Sequence, residues 1–156
     1  MSITVRPMRA GEERRVADMV HALARHIGTA KAPKLDGEAL RRNEGFVDVV
    51  VAEEEGHLLG ACLGLMTFST WRAVKGLYVV DLFVDPVARN RRAGVKLLSE
   101  SARRFWARGA RFIKLEVDHE NPGAGRFYLR HGFVLHHEDR LFILEPEGME
   151  KLAAAM

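Results

Sequence analysis

Gly76-Leu77-Tyr78-Val79-Val80-Asp81-Leu82-Phe83-Val84-Asp85-Pro86 runs directly into Val87-Ala88-Arg89-Asn90-Arg91-Arg92-Ala93-Gly94-Val95-Lys96-Leu97-Leu98. The first part is apolar and rich in β-branched and aromatic residues. It is bounded by Gly76 and stopped by Asp85-Pro86, which predicts a strand over 76–84. Val95, Leu98, Ala102 and Phe105 then recur at helical spacing, which predicts a helix from Gly94 to Arg108, ended by Gly109. A basic turn lies between the two. Backbone N–H groups at a helix N-terminus, aided by the helix dipole, make an anion site. Ala93 and Gly94 are small enough for a pyrophosphate to approach the backbone. Arg89, Arg91 and Arg92 add charge-assisted donors. The same residues also suit a solvated basic turn before an ordinary helix. The glycine fingerprint G-x-G-x-x-G is absent and no G-K-S/T follows, so the dinucleotide and P-loop patterns are excluded.

Working outward, the chain alternates strands and helices. Ile3 to Arg6 reads as a short strand. Val16, Met19, Val20, Leu23 and Ile27 mark an amphipathic helix from Gly11 to Ile27. Lys31 to Asp36 reads as loop, and a short helix follows over Gly37 to Asn43. Phe46 to Ala52 and Leu58 to Phe68 are predicted strands around the turn Glu53-Glu54-Glu55-Gly56-His57. Arg111 to Val117 is a further strand and Asn121 to Arg130 a short helix. Phe133 to His136 and Arg140 to Leu144 read as closing strands. The pattern is α/β, with a mixed, mostly antiparallel sheet flanked by helices. There is no internal repeat or linker, and 156 residues suit a single domain over 1–156.

Past the Leu115-Glu116-Val117 strand comes Asn121-Pro122-Gly123-Ala124-Gly125-Arg126-Phe127-Tyr128-Leu129-Arg130-His131-Gly132-Phe133. Asn121 suits an N-cap, Pro122 the first helical position and Gly132 a helix stop. Asn121, Ala124 and Tyr128 are three and four apart, so they share a face. Ala124 leaves room beside that face for a ligand, and Tyr128 points its hydroxyl there. A capped helix carrying a core tyrosine has the same spacing.

The two segments together resemble the GNAT superfamily of acyl-CoA-dependent N-acyltransferases. The turn is similar to its motif Q/R-x-x-G-x-G/A, with Arg89 first, Gly94 last, and Arg92 where the first glycine usually stands. The helix is similar to N-x-x-A-x-x-F-Y-x-x-x-G-F at every named position. The resemblance implies a GNAT-like fold and acetyl-CoA as cosubstrate. It implies that Arg89, Asn90, Arg91, Arg92, Ala93, Gly94 and Val95 hold the phosphates. It also implies that the strand Leu82, Phe83, Val84, with Asn121, Ala124 and Phe127, holds the pantetheine arm. Tyr128 lines the same site and, as in the family, acts as general acid. Phe68-Ser69-Thr70-Trp71-Arg72, Leu77 to Val84 and the tail Met149-Glu150-Lys151-Leu152-Ala153 look like the diamine or thialysine branch. That branch has an acidic pair where this chain has Val80-Asp81. Its tail contributes to a homodimer, which the resemblance therefore implies here.

An amine attacking a thioester must first lose a proton, since an alkyl amine has a pKa of about 10.4. A carboxylate takes that proton directly or through water. Glu116, Asp81 and Asp118 are the candidates. Leu115-Glu116-Val117 resembles the strand of several protein N-terminal acetyltransferases, which place a base at this offset from the tyrosine. Asp81 is a carboxylate inside an apolar strand, which calls for a reason.

Hydrophobic residues make up 47% of the chain and charged ones 29%, an ordinary globular balance. Net charge is +3, a mild excess. The one cysteine, Cys62, reads as a core thiol and permits no intrachain disulfide, which fits a reducing cytoplasm. No apolar run is long enough to span a bilayer and Met1 to Arg9 has no signal-peptide core, so no membrane partner is expected. His119, His131, His136 and His137 match no zinc spacing, so no metal is expected. The sequence thus points to an acetyl-CoA-dependent transfer to a small primary amine, polyamine-like or lysine-like. Alternatives are a protein N-terminal or side-chain acetyltransferase, an acyl-CoA-binding sensor, or a basic nucleic-acid module built on Arg89, Arg91, Arg92, Lys96, Arg103, Arg104 and Arg108. No aromatic-rich DNA-binding motif accompanies that stripe, and nucleic acid is not expected as a partner.

Overall fold

The computed structural model describes residues 2–26 and 32–155. The predicted helix end at Ile27 and the loop start at Lys31 lie outside the described residues. The chain forms two compact units, Met1–Asn121 and Pro122–Met156.

In the first unit, β1 (Thr4–Pro7), β2 (Asp48–Glu54), β3 (His57–Ser69), β4 (Val74–Val84) and β5 (Ala110–Lys114) form one sheet in sequence order. Strands β1 to β4 pair antiparallel, and β5 joins parallel to β4. A parallel neighbour needs a crossover, which α3 (Ala93–Ala107) supplies. Helices α1 (Glu13–His26) and α2 (Gly37–Arg42) lie between β1 and β2 in sequence. The mixed, mostly antiparallel sheet flanked by helices is the fold that the sequence predicts.

Apolar spacing decides which face each helix covers. Val16 and Val20 of α1 and Leu40 of α2 pack with Val49, Val51, Ala61 and Leu63 of the sheet. Helix α3 buries Ala93, Leu97, Leu98, Ser101 and Phe105. It covers the opposite face, where β3 comes close: a Cβ on Gly60 would stand 2.6 Å from the Phe83 carbonyl oxygen and 3.0 Å from Leu97 Cδ1. Cys62 is buried here as expected, with its thiol pushed up to about 11 by burial.

One irregularity positions the site. Leu63 pairs with Asp81 but Gly64 pairs with Val79, so Val80 is an extra residue in β4, a β-bulge. Tyr78 pairs with Leu65. Leu63 and Leu65 are two apart and share a face, so Tyr78 and Asp81, three apart, share it too. It is the face covered by α1 and α2. Pairing of β4 with β5 ends at Tyr78 and Lys114. Beyond that point Val79–Val84 pairs with β3 alone, among the described residues, and its other edge carries a row of backbone donors and acceptors.

In the second unit, α4 (Pro122–Arg130) is followed by a segment without regular structure and by α5 (Pro146–Ala153). Gly132, at φ 89°, follows the end of α4 as predicted. The expected strands Phe133–His136 and Arg140–Leu144 do not form; no residue between 133 and 145 joins a ladder among the described residues. Instead the tail is helical, with Pro146 in its first turn, Glu147 near its N-terminus and Lys151 in its last turn. The predicted strand Arg111–Val117 is shorter than expected, ending at Lys114, so Glu116 lies just past it.

Candidate active site

Asp81 sits immediately after the bulge of β4, half-buried. Burial raises its carboxyl from the ordinary 3.8 to about 6. The cause is desolvation of the charged form. Tyr78, on the same face, donates its hydroxyl to Glu116 Oε1 at 2.5 Å. That hydrogen bond, with burial and the charges of Glu116 and Asp81, pushes the phenol up to about 12. Lys114, opposite Tyr78 in the ladder, holds its Nζ 5.6 Å from the Tyr78 ring centroid. The fork between β4 and β5 therefore carries Asp81, Glu116, Tyr78 and Lys114 together. Two of these, Asp81 and Glu116, are sequence-predicted. Tyr78 is the residue at the fork that sequence reasoning did not single out. Its one signal was a phenol three residues before an acid in an otherwise apolar strand. Asp118 lies beyond the fork in the loop before α4, where Asn121 N–H donates to its carbonyl at 3.0 Å.

Leu82, Phe83 and Val84 close β4 on the edge left by β5. A short turn of 3₁₀ helix, Pro86–Ala88, leads into the basic turn. Asn90 and Arg92 both adopt left-handed backbone conformations at φ 65°. Arg92 directly precedes α3 and makes no side-chain capping bond to its first turn, which begins Ala93-Gly94-Val95. The left-handed backbone explains why glycine suits the position of Arg92. Arg91 turns to Glu54 of β2 and pairs with it through both guanidinium nitrogens, at 3.1 Å for Nη1 and closer for Nη2. Arg89 and Arg92 are exposed.

Asn121 ends the first unit and directly precedes α4. Ala124, Phe127 and Tyr128 are on α4 in the second unit. Within that unit the Tyr128 ring meets Phe127 and Phe133 edge to face, each at 5.2 Å between centroids, and Phe127 meets His131 at 4.7 Å. The Phe133 amide donates to the Tyr128 carbonyl at 3.1 Å. The aromatic positions of the motif thus set the orientation of the tyrosine ring. Among the described residues, His136, Glu138 and Asp139 bring ligand atoms within 4.8 Å of one another, all three on exposed coil.

Residues 17–133 match the model of the acetyltransferase (GNAT) family. The chain belongs to that family. The matched span includes both the basic turn and the Asn121–Phe133 segment that first suggested it. Among relatives of this GNAT chain is an uncharacterized N-acetyltransferase, YhfO, of Bacillus subtilis (strain 168). It is 35% identical over 86 residues, covering 54% of this chain and 57% of that protein. The chain therefore aligns with little more than half the length of the curated relative. An integron cassette protein, VCH_CASS6, from the mobile metagenome of V. cholerae shares the fold at TM-score 0.78. It is 24% identical, with 98% of each chain covered. An aminoglycoside acetyltransferase, meta-AAC0020, from an uncultured soil sample, solved with sisomicin, superimposes at TM-score 0.74. It is 15% identical, covering 92% of this chain and 95% of that one.

Proposed function

We propose that this GNAT chain transfers an acetyl group from acetyl-CoA to a primary amine of a small molecule, with Asp81 as general base and Tyr128 as general acid. The observation that carries the reading is Asp81. A carboxyl raised to about 6 stands on the bulge of β4, beside the strand edge that β5 leaves. Such a group is ionised at neutral pH yet more basic than an ordinary aspartate, which suits a base working near pH 7.

The coenzyme side is supported by the turn before α3. Left-handed residues at Asn90 and Arg92, followed by an α3 start without a side-chain cap, suit anionic oxygens at the N–H groups of Ala93, Gly94 and Val95. Arg89 and Arg92 supply the nearby charge, because Arg91 is engaged by Glu54. The open edge at Leu82, Phe83 and Val84 would align an extended arm by strand-like hydrogen bonds. Acetyl-CoA, when bound, supplies the thioester. Asp81 would take a proton from the acceptor's ammonium; the neutral amine then forms the C–N bond as the C–S bond breaks, Tyr128 protonates the departing thiolate, and the second proton shed by the nitrogen restores the phenol through solvent.

The acceptor follows from charge. Val80, where the diamine branch carries a second acid, is 47% exposed on the bulge and apolar. Among the described residues, Glu116 is then the further carboxylate at the fork, held by Tyr78, whose ring Lys114 also approaches. This favours an acceptor with at most one compensated extra charge, such as a lysine-like zwitterion. A peptide N-terminus is the second reading, favoured by Leu115-Glu116-Val117. Thiol release from acetyl-CoA over polyamines, lysine analogues, aminoglycosides and peptide N-termini tests the proposal. An N-acetylated product from a small primary amine supports it. Acetyl-CoA binding with no amine-dependent thiol release would return the chain to a sensor.

A further inference from the structure

Two carboxylates stand at the fork, Asp81 on β4 and Glu116 past the end of β5, and their surroundings differ. Asp81 is half-buried and strand-bound. Glu116 is exposed, two residues beyond the last β5 residue, where no ladder fixes the backbone that carries it. A side chain so placed samples several rotamers, and ordering it costs free energy. Its position is nevertheless defined, because the Tyr78 hydroxyl holds Oε1 at 2.5 Å. The phenol is rigid: its backbone lies within β4 at the last rung shared with β5. It stays protonated through the working range, with its pKa pushed up to about 12. The hydroxyl therefore remains a donor from the pH at which Asp81 ionises, about 6, up to about 12.

We infer that Tyr78 is a positioning residue that fixes Glu116 at the mouth of the fork, where the carboxylate captures the acceptor's ammonium before Asp81 deprotonates it. The inference rests on the acetyltransferase reading for the second step only; capture of a cation is a binding event and needs no turnover. The division of labour follows from the two environments. An exposed, hydrogen-bonded carboxylate attracts a cation without the desolvation cost of a buried one. A desolvated carboxylate is the better proton acceptor. The proton passes from the ammonium to an Asp81 oxygen, leaving a neutral amine and a neutral carboxyl. Tyr78 lies outside the two segments, 89–94 and 121–133, that carry the family motifs, and no motif sets its hydrogen bond to Glu116. The two residues lie 38 positions apart in sequence.

The experiment is calorimetric titration of cadaverine and of L-lysine into the protein saturated with coenzyme A, in wild type, Tyr78→Phe, Glu116→Gln and the double variant. Loss of a charge-assisted hydrogen bond predicts amine binding weakened roughly tenfold or more in each single variant. The double variant should be no worse than Glu116→Gln alone, because Tyr78 acts through Glu116. Coenzyme affinity should be unchanged. Should Tyr78→Phe not fold, Glu116→Asp, which withdraws the carboxylate from the phenol by one methylene, is read in the same way. Equal amine affinity across the series, including no measurable binding in wild type, overturns the inference, as does an additive loss in the double variant. Thiol release is scored separately. Tyr78-dependent amine binding without acetyl transfer sinks the proposed function and leaves this inference standing; transfer without Tyr78-dependent binding does the reverse.

Discussion

Burying Asp81 beside the bulge raises its carboxyl from 3.8 to about 6, and the linkage has a definite sign. Between those values the unfolded chain gives up a proton that the folded chain keeps. Stability from this group is therefore highest below 3.8 and falls as pH rises through about 6. Asp81→Asn removes that loss. It should raise Tm at pH 7.5 relative to wild type and leave Tm at pH 4 nearly unchanged, while abolishing most turnover. A scanning-calorimetry series over pH checks this, and a lower Tm at pH 7.5 would contradict burial as the cause. Arg92 separates backbone from side chain. A non-glycine residue at φ 65° costs about 1–2 kcal/mol, while glycine costs about 0.5–1 kcal/mol in chain entropy. Arg92→Gly should thus leave stability equal or slightly higher, and acetyl-CoA binding should become less salt-dependent as one cation is lost. Affinity measured at two ionic strengths decides whether the side chain contributes. For Tyr128, the acid role implies that Tyr128→Phe lowers kcat by roughly 10²–10⁴ with coenzyme affinity preserved. Near-normal turnover would return it to a packing role beside Phe127 and Phe133.

Charge ties strand β1 to the residue that precedes helix α1 and to β2. Arg6 of β1 donates to both oxygens of Glu12 at 2.9 and 2.8 Å and to Glu53 of β2 at 2.7 Å. Glu12 precedes α1 and is 8% exposed, and the Arg6 hydrogen bonds hold its carboxyl down at about 2. This stabilisation is complete above the ordinary 4.5 and is lost as pH falls from there toward about 2. Glu12→Gln leaves Arg6 partly unpaired near the core and should cost about 2–3 kcal/mol at pH 7, with a smaller difference below pH 3. Urea melts at the two pH values measure it. The elements themselves were legible to different degrees for physical reasons. Helices α1 and α3 carry long 3.6-period stripes, and Asp85-Pro86 stops β4 where expected, so local sequence specified them. The segment 133–145 is apolar enough to read as strand, but strand propensity needs a ladder partner to be realised, and none forms there. The α5 helix has its Pro146 start and Glu147–Lys151 charge order in plain view, yet its short apolar pattern did not distinguish it from loop.

For the molecule as a whole, the family was the most legible part, because both segments that suggested it, 89–94 and 121–133, lie within the span 17–133 that matches the family. The bulge at Val80 was not legible. An extra residue in a strand shows only against the partner strand's register, and it is this residue that turns Asp81 to the face of Tyr78 and Glu116. Nor did sequence reveal that Arg91 is claimed by Glu54, a pair 37 residues apart. In the proposed reaction a desolvated Asp81 deprotonates the amine for acetylation. The most direct measurement is the pH dependence of kcat/KM for acetyl transfer to the best amine of the panel, in wild type and Asp81→Asn. The account requires a wild-type acid limb with an apparent pKa near 6, matching the raised carboxyl. It also requires Asp81→Asn to lose roughly 10²–10⁴ in rate at neutral pH and to recover as pH approaches about 10, where the amine deprotonates unaided. An acid limb near 4, or an Asp81→Asn rate close to wild type at pH 7, would contradict it.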